Sequence, residues 1–166
     1  MAYNPAASIT TVVGLTDTPA NFTGDGLKTV RVNTGETALE FVTRYKDTPI
    51  AVAVSDEITP ITVDTDVTTF RVPAAFTLSG IRASLSTAST TGTVTVDVHL
   101  NGTTIMTTNK LRFDATEKTT LTYSGTAATL TTTAIADDDE ITIDIDDAGS
   151  SSDAAGLKVY LLGTWD

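Results

Sequence analysis

The chain contains one histidine, His99, and it is the only possible imidazole base. It follows Asp97 in the alternating run Thr93–Leu100, so Asp97 and His99 are predicted to share the outward face of a strand. An Asp–His pair can activate a hydroxyl or thiol nucleophile. However, the sequence contains no cysteine and no G-x-S-x-G elbow. We therefore predict a surface histidine and no enzymatic activity.

Carboxylates are concentrated in the last third of the chain, where four consecutive acidic residues, Asp137–Glu140, precede Asp144, Asp146 and Asp147. Carboxylate oxygens are the ligands that Ca²⁺ prefers. The segment that starts at Asp144 begins like a calcium loop, but its fifth and twelfth positions are both alanine. A calcium site at Asp144, Asp146 and Asp147 is the metal-binding alternative. The favoured interpretation is a solvated turn whose charges protect a strand end.

Composition excludes several classes of partner. The formal net charge is -11, from 10 basic and 21 acidic residues. Because phosphate contacts dominate nucleic-acid affinity, we expect no binding to nucleic acid, and for the same reason none to anionic membranes. Without cysteine there is no disulfide framework and no thiolate metal site. The sequence therefore predicts no cofactor.

The elements that would position these side chains are predicted to be strands. Threonine and aliphatic residues alternate in Thr93–Leu100 and in Ile141–Asp146, and Asn101-Gly102 is a strong hairpin signal between strands. No stretch has helical periodicity over three turns. The pattern predicts an all-β protein, an antiparallel β-sandwich of the jelly-roll type. Further strands are predicted at Thr69–Val72, Ala75–Leu85, Lys118–Tyr123, Leu130–Ile135 and Leu157–Leu162.

The first fifty residues differ from the rest, with three prolines and only short apolar runs. We predict an N-terminal anchoring arm and β-hairpin over residues 1–50, a linker strand over 51–65 and the sandwich over 66–166. The N-terminal part has too little apolar surface to fold alone, so it is expected to lie against other protein chains. The predicted assembly interface consists of the apolar residues of the hairpin: Leu27, Val30, Val32, Leu39, Phe41 and Val42.

Two parts of the sequence resemble structural proteins of tailed bacteriophages. Leu15–Val42, LTDTPANFTGDGLKTVRVNTGETALEFV, resembles a short module that recurs in such proteins. Thr68–Leu85, TTFRVPAAFTLSGIRASL, is similar to a domain of phage and prophage virion proteins, as are Ala136–Asp147 and Gly156–Gly163. The resemblance implies a virion component that is assembled in the host cytoplasm, and it implies no enzymatic activity.

The sequence leaves two positions in the particle open. The first is a capsid-decorating or cement protein, or a short head fibre, which forms a homotrimer and binds the major capsid protein or another virion protein through its arm. The alternative is a tail fibre or adaptor whose sandwich binds a host surface glycan, with the acidic loops Asp137–Glu140 and Asp146–Asp153 as the contact region. Trp165 is the aromatic residue best placed for a sugar platform, although a packing role is favoured.

Overall fold

A computed structural model describes residues 28–32, 35–43, 48–151 and 153–165. The chain divides into two compact units, residues 1–45 and residues 46–166, which are described separately here. The predicted extended arm and Leu27 lie outside the described residues.

The first unit contains an antiparallel pair of strands, β1 (Lys28–Val32) and β2 (Leu39–Thr43). The register pairs Val30 with Phe41 and Val32 with Leu39. Between the strands, Glu36 has a φ of 56°. A two-stranded hairpin by itself is marginally stable in water, because it has only one shallow apolar face.

The second unit contains nine strands and a short 3-10 helix at Thr120–Thr122 in its described residues. The strands are β3 (Ile50–Ala53), β4 (Asp64–Arg71), β5 (Phe76–Ser84), β6 (Val94–Leu100), β7 (Thr103–Thr104), β8 (Leu111–Phe113), β9 (Ala134–Ile135), β10 (Glu140–Ala148) and β11 (Lys158–Trp165).

These strands form two antiparallel sheets. The front sheet has the order β4-β10-β6-β7, with β8 also paired to β6, and the back sheet has the order β3-β11-β5-β9. Valine and isoleucine at alternate positions of β6 and β10 face the back sheet, where Val159 and Leu161 of β11 belong to the same buried core. Two sheets that share one core make a sandwich. The predicted all-β antiparallel fold is therefore confirmed.

The chain crosses between the sheets at most connections. With β7 and β8 counted as one strand, the eight strands follow the order 1-8-3-6 in the back sheet and 2-7-4-5 in the front sheet. This order is compatible with the predicted jelly roll, which is built from eight strands in two sheets.

The first residues of the segment predicted as a linker strand, 51–53, belong to β3, which pairs with β11 in the back sheet. Ile50 and Val52 pack against the core. Two strand predictions need correction. The strand predicted at Lys118–Tyr123 is a turn that contains the 3-10 helix, and the one at Leu130–Ile135 is reduced to Ala134–Ile135.

Candidate functional site

The hairpin of the first unit carries an apolar face that is open to solvent. Val30 is 45% exposed and Val32 is 56% exposed. In the strand register, Val30 pairs with Phe41, Val32 pairs with Leu39, and Val42 pairs with Thr29. The two strands thus contain five of the six residues predicted for assembly, while Leu27 is outside the described residues.

A group of charged side chains lies on the outer face of the front sheet. We call it the carboxylate cluster, and it comprises Asp97, His99, Lys110, Asp144 and Asp146. Asp97 of β6 and Asp144 of β10 are directly opposite each other in the strand register. Like charges at such positions repel each other, so the pair requires compensation.

Lys110 supplies part of this compensation. Its Nζ lies 2.6 Å from Asp97 Oδ2 and 2.7 Å from Asp146 Oδ2. Burial disfavours the charged ammonium, but the hydrogen bonds to Asp146 and Asp97 and their negative charges outweigh it, so the pKa of Lys110 is raised above its ordinary value. The lysine therefore remains a cation between two carboxylates.

The remaining oxygens of the two opposed carboxylates also have partners. Asp97 Oδ1 accepts hydrogen bonds from the Val98 amide at 2.8 Å and from the Thr104 hydroxyl at 2.7 Å. The His99 ring lies between the two carboxylates, with Nε2 3.6 Å from Asp97 Oδ2 and Nδ1 3.3 Å from Asp144 Oδ2. No buried side-chain nitrogen or oxygen among the described residues lacks a hydrogen-bond partner.

Two irregularities in the strand register help to position Asp144 and Asp146. On β10, Asp146 is an extra residue between Ile145, which opposes Val96, and Asp147, which opposes Thr95. Because a bulge places two residues opposite one, Asp146 can turn outward towards Lys110. On β4, the register shifts beside Asp144, and the amide of Asp66, whose φ is 51°, donates a 2.7 Å hydrogen bond to Asp144 Oδ1.

Asp97 lies on the outer face of the sheet with His99, as the strand alternation predicts, yet it is only 2% exposed. Lys110 and Thr104 contact its carboxylate and take the place of water. The cluster therefore places one ammonium group among three carboxylates, and hydrogen-bond donors contact the remaining oxygens of Asp97 and Asp144.

The three residues considered for calcium have separate partners. Asp144 accepts from Asp66, Asp146 binds Lys110, and Asp147 Oδ1 accepts from the Gly149 amide at 2.9 Å. No group of three or more metal-ligating side chains occurs in the described ranges. The arrangement satisfies each carboxylate with protein donors, which leaves the calcium site a prediction without a converged ligand set.

The acidic turn before β10 is held by hydrogen bonds of its own. Asp139 accepts from the Asn101 side chain at 2.8 Å and from the Ala136 amide at 2.7 Å, and these bonds lower the pKa of Asp139. Arg71 forms an exposed ion pair with Glu140 at 3.2 Å. Trp165, the predicted alternative for a sugar platform, packs edge-on against Phe76 with ring centroids 4.8 Å apart.

No family model, curated protein or solved structure matches this chain in comparisons with known proteins. In the part of the chain that the structure describes, no helix is long and apolar enough to span a bilayer. Function is therefore inferred from the two sequence resemblances and from the geometry of the hairpin, of the sandwich and of its charged groups.

Proposed function

We propose that this protein is a structural component of a tailed-bacteriophage particle, of the capsid-decorating, cement or short head-fibre type. The N-terminal unit anchors it to the major capsid protein or another virion protein, and the β-sandwich is displayed. The two sequence resemblances motivate the phage context. The protein acts by binding and carries out no reaction.

The exposed apolar face of the hairpin is the observation that carries this proposal. Val30 and Val32 lie on a two-stranded sheet, and among the described residues of that unit no second sheet packs against their side chains. Because these valines are about half exposed, burying the rest of each side chain against another chain contributes roughly 1 kcal/mol per valine. A homotrimer would present three of these faces, and three weak contacts made together increase the affinity by avidity.

The sandwich suits display because its interior is complete. One continuous core joins the two sheets, and it includes Phe76, Phe113, Ile141 and Leu161, each at most 1% exposed. A unit with its own core folds without the anchor. The hairpin face and the sandwich can therefore be altered independently.

The test uses the full chain and the Val30→Asp/Val32→Asp double variant. Purified protein is measured by light scattering for oligomeric state. It is then mixed with particles of the encoding phage from which the protein has been removed. We expect the wild type to rebind and the variant to lose at least tenfold in affinity, since two charges would be buried at the interface. Cryo-electron microscopy of the rebound particles then locates the protein on the head or the tail.

Val63→Asp is the matched control, because Val63 is 64% exposed but lies outside the hairpin. It introduces the same side chain on the sandwich and should rebind like the wild type. An unfolding midpoint for the sandwich that is equal in all three proteins excludes misfolding. Absence of the protein from the particles, or equal rebinding of the hairpin variant, would refute the proposal.

A further inference from the structure

The sandwich has an open side between its two sheets. Strand β5 pairs with β9 only at Phe76 and Thr77, so the later part of β5 has no β9 partner. The chain around the 3-10 helix covers this stretch: the Ala83 amide donates to the Thr120 hydroxyl, and Leu85 donates to the Lys118 carbonyl. A cleft of about 150 Å³ remains between β5, β8 and this covering segment.

Two arginines line this cleft, Arg82 from β5 and Arg112 from β8. Three other cations of the sandwich, Arg71, Lys110 and Lys158, each have a carboxylate partner, whereas Lys118 on the covering segment has no ion pair among the described residues. Within the residues that the structure describes, neither Arg82 nor Arg112 has an ion pair. In a chain with a net charge of -11, two guanidinium groups without an ion pair thus line one cleft, although the carboxylates of Asp114 and Glu117 bind the covering segment nearby.

The rest of the lining is amphipathic. Tyr123 contributes an aromatic ring, Thr120 a hydroxyl group, and Leu121 an aliphatic side chain that is 63% exposed. The chain turns closely around the tyrosine, because a Cβ added at Gly125 would lie 2.6 Å from Tyr123 Cε1. Glycine at this position therefore allows the ring to occupy its place beside the cleft.

We infer that this cleft binds a saccharide unit that carries a carboxylate or sulfate group. The planar guanidinium groups of Arg82 and Arg112 can each donate two parallel hydrogen bonds to such an anion. The Tyr123 ring offers an apolar surface to the C–H face of a sugar, while the second lone pair of the Thr120 hydroxyl, which already bonds the Ala83 backbone, can accept a hydrogen bond from a sugar hydroxyl group.

The size and the overall charge favour a short acidic saccharide over larger anions. The cleft is smaller than the 300–1,000 Å³ that is typical of sites for drug-sized ligands, so it accommodates about one ring. A long nucleic acid would extend beyond the two arginines onto a surface that is mostly acidic. The site lies on β5, β8 and the covering segment, away from the acidic loops at which the sequence predicts a glycan contact.

Titration calorimetry on the full chain at low ionic strength tests this inference. The probes are a galacturonic acid trisaccharide, a sulfated galactose trisaccharide and the uncharged galactose trisaccharide. We expect at least one acidic probe to bind and the uncharged probe to bind at least tenfold more weakly. Arg82→Gln and Arg112→Gln should each weaken binding by tenfold or more, because each removes charge-assisted hydrogen bonds. Gly125→Ala, which displaces the Tyr123 ring, should weaken binding with both arginines retained.

Lys118→Gln is the matched control, since it removes one exposed positive charge from the same covering segment without altering the cleft lining. Its affinity should remain within twofold of the wild type. Failure of both acidic probes, equal binding of the uncharged probe, or equal loss in Lys118→Gln would overturn the inference. Equal binding of a polyglutamate peptide or of inorganic sulfate alone would also overturn it. Virion assembly through the hairpin is measured separately and does not depend on this result.

Discussion

Removal of the cation in the carboxylate cluster is the most direct test of its role. Lys110→Met keeps much of the aliphatic stem but leaves Asp97 buried without its closest counter-charge. Loss of one partner of a buried ion pair lowers the free energy of unfolding by about 3–5 kcal/mol. Asp97 retains the Val98 amide and the Thr104 hydroxyl, and Lys110 is 27% exposed, so the lower end, about 3 kcal/mol, applies. For a unit of this size, this loss lowers the melting temperature by about 10 °C.

Chemical denaturation at pH 7, fitted with a common slope, measures this change in unfolding free energy. Lys158→Met is the control, since Lys158 pairs with Glu57 at an exposed site where an ion pair contributes about 1 kcal/mol or less. The double variant Asp97→Asn/Lys110→Met removes both charges of the pair. We expect the double variant to lose about 2 kcal/mol less unfolding free energy than Asp97→Asn and Lys110→Met lose in sum, because no unpaired charge remains at that contact. The reasoning fails if Lys110→Met costs no more than Lys158→Met.

Two further predictions concern stability at alkaline pH and the steric effect of replacing glycine by alanine. The pKa of Lys110 in the folded protein is raised above its ordinary value of 10.5. The contribution of Lys110 to the free energy of unfolding is therefore complete below pH 10.5 and is lost as the pH rises through the folded-state pKa. Wild-type stability should therefore fall towards that of Lys110→Met above about pH 10.5, and a constant difference in melting temperature would contradict it. A Cβ at Gly163 would lie 2.1 Å from the Thr77 carbonyl, so Gly163→Ala should destabilise by about 3 kcal/mol. Gly80→Ala, with ordinary 3.6 Å contact to Leu162, should change the unfolding free energy by under about 1 kcal/mol, and equal losses in the two variants would disprove the steric argument.

Strand periodicity was the most informative part of the sequence. The strict alternation in Val94–Leu100 and Ile141–Ile145 places the aliphatic residues in the core, as predicted. The same argument failed at Lys118–Tyr123, where threonine favours a strand but also bonds the local backbone. There the Thr119 hydroxyl accepts from the Leu121 amide and caps the 3-10 helix. Propensity alone does not choose between these two uses of threonine.

The candidate sites were predicted only in part, because their partners are distant in the sequence. Lys110 reaches Asp97 since β8 pairs with β6, with Leu111 opposite Val96. No local sequence pattern predicts that register, and so neither the Lys110 contact nor the burial of Asp97 was predicted. The cleft arginines are separated by thirty positions and lie in different sheets. The sequence nevertheless contained a signal for these arginines. Positive charges are scarce in this sequence, so each lysine or arginine can be examined for a carboxylate partner or a ligand.

The position of β11 within the back sheet has a consequence for biosynthesis. This strand follows all the other described strands of the sandwich in sequence, yet it lies between β3 and β5 and pairs with both. The ribosome must therefore synthesise all nine of these strands before the back sheet can close, and until then β3 and β5 lack the partner that joins them. Slow folding is expected from such long-range pairing. Nascent chains that stall before Lys158 would remain accessible to chaperones and proteases for as long as β11 is missing.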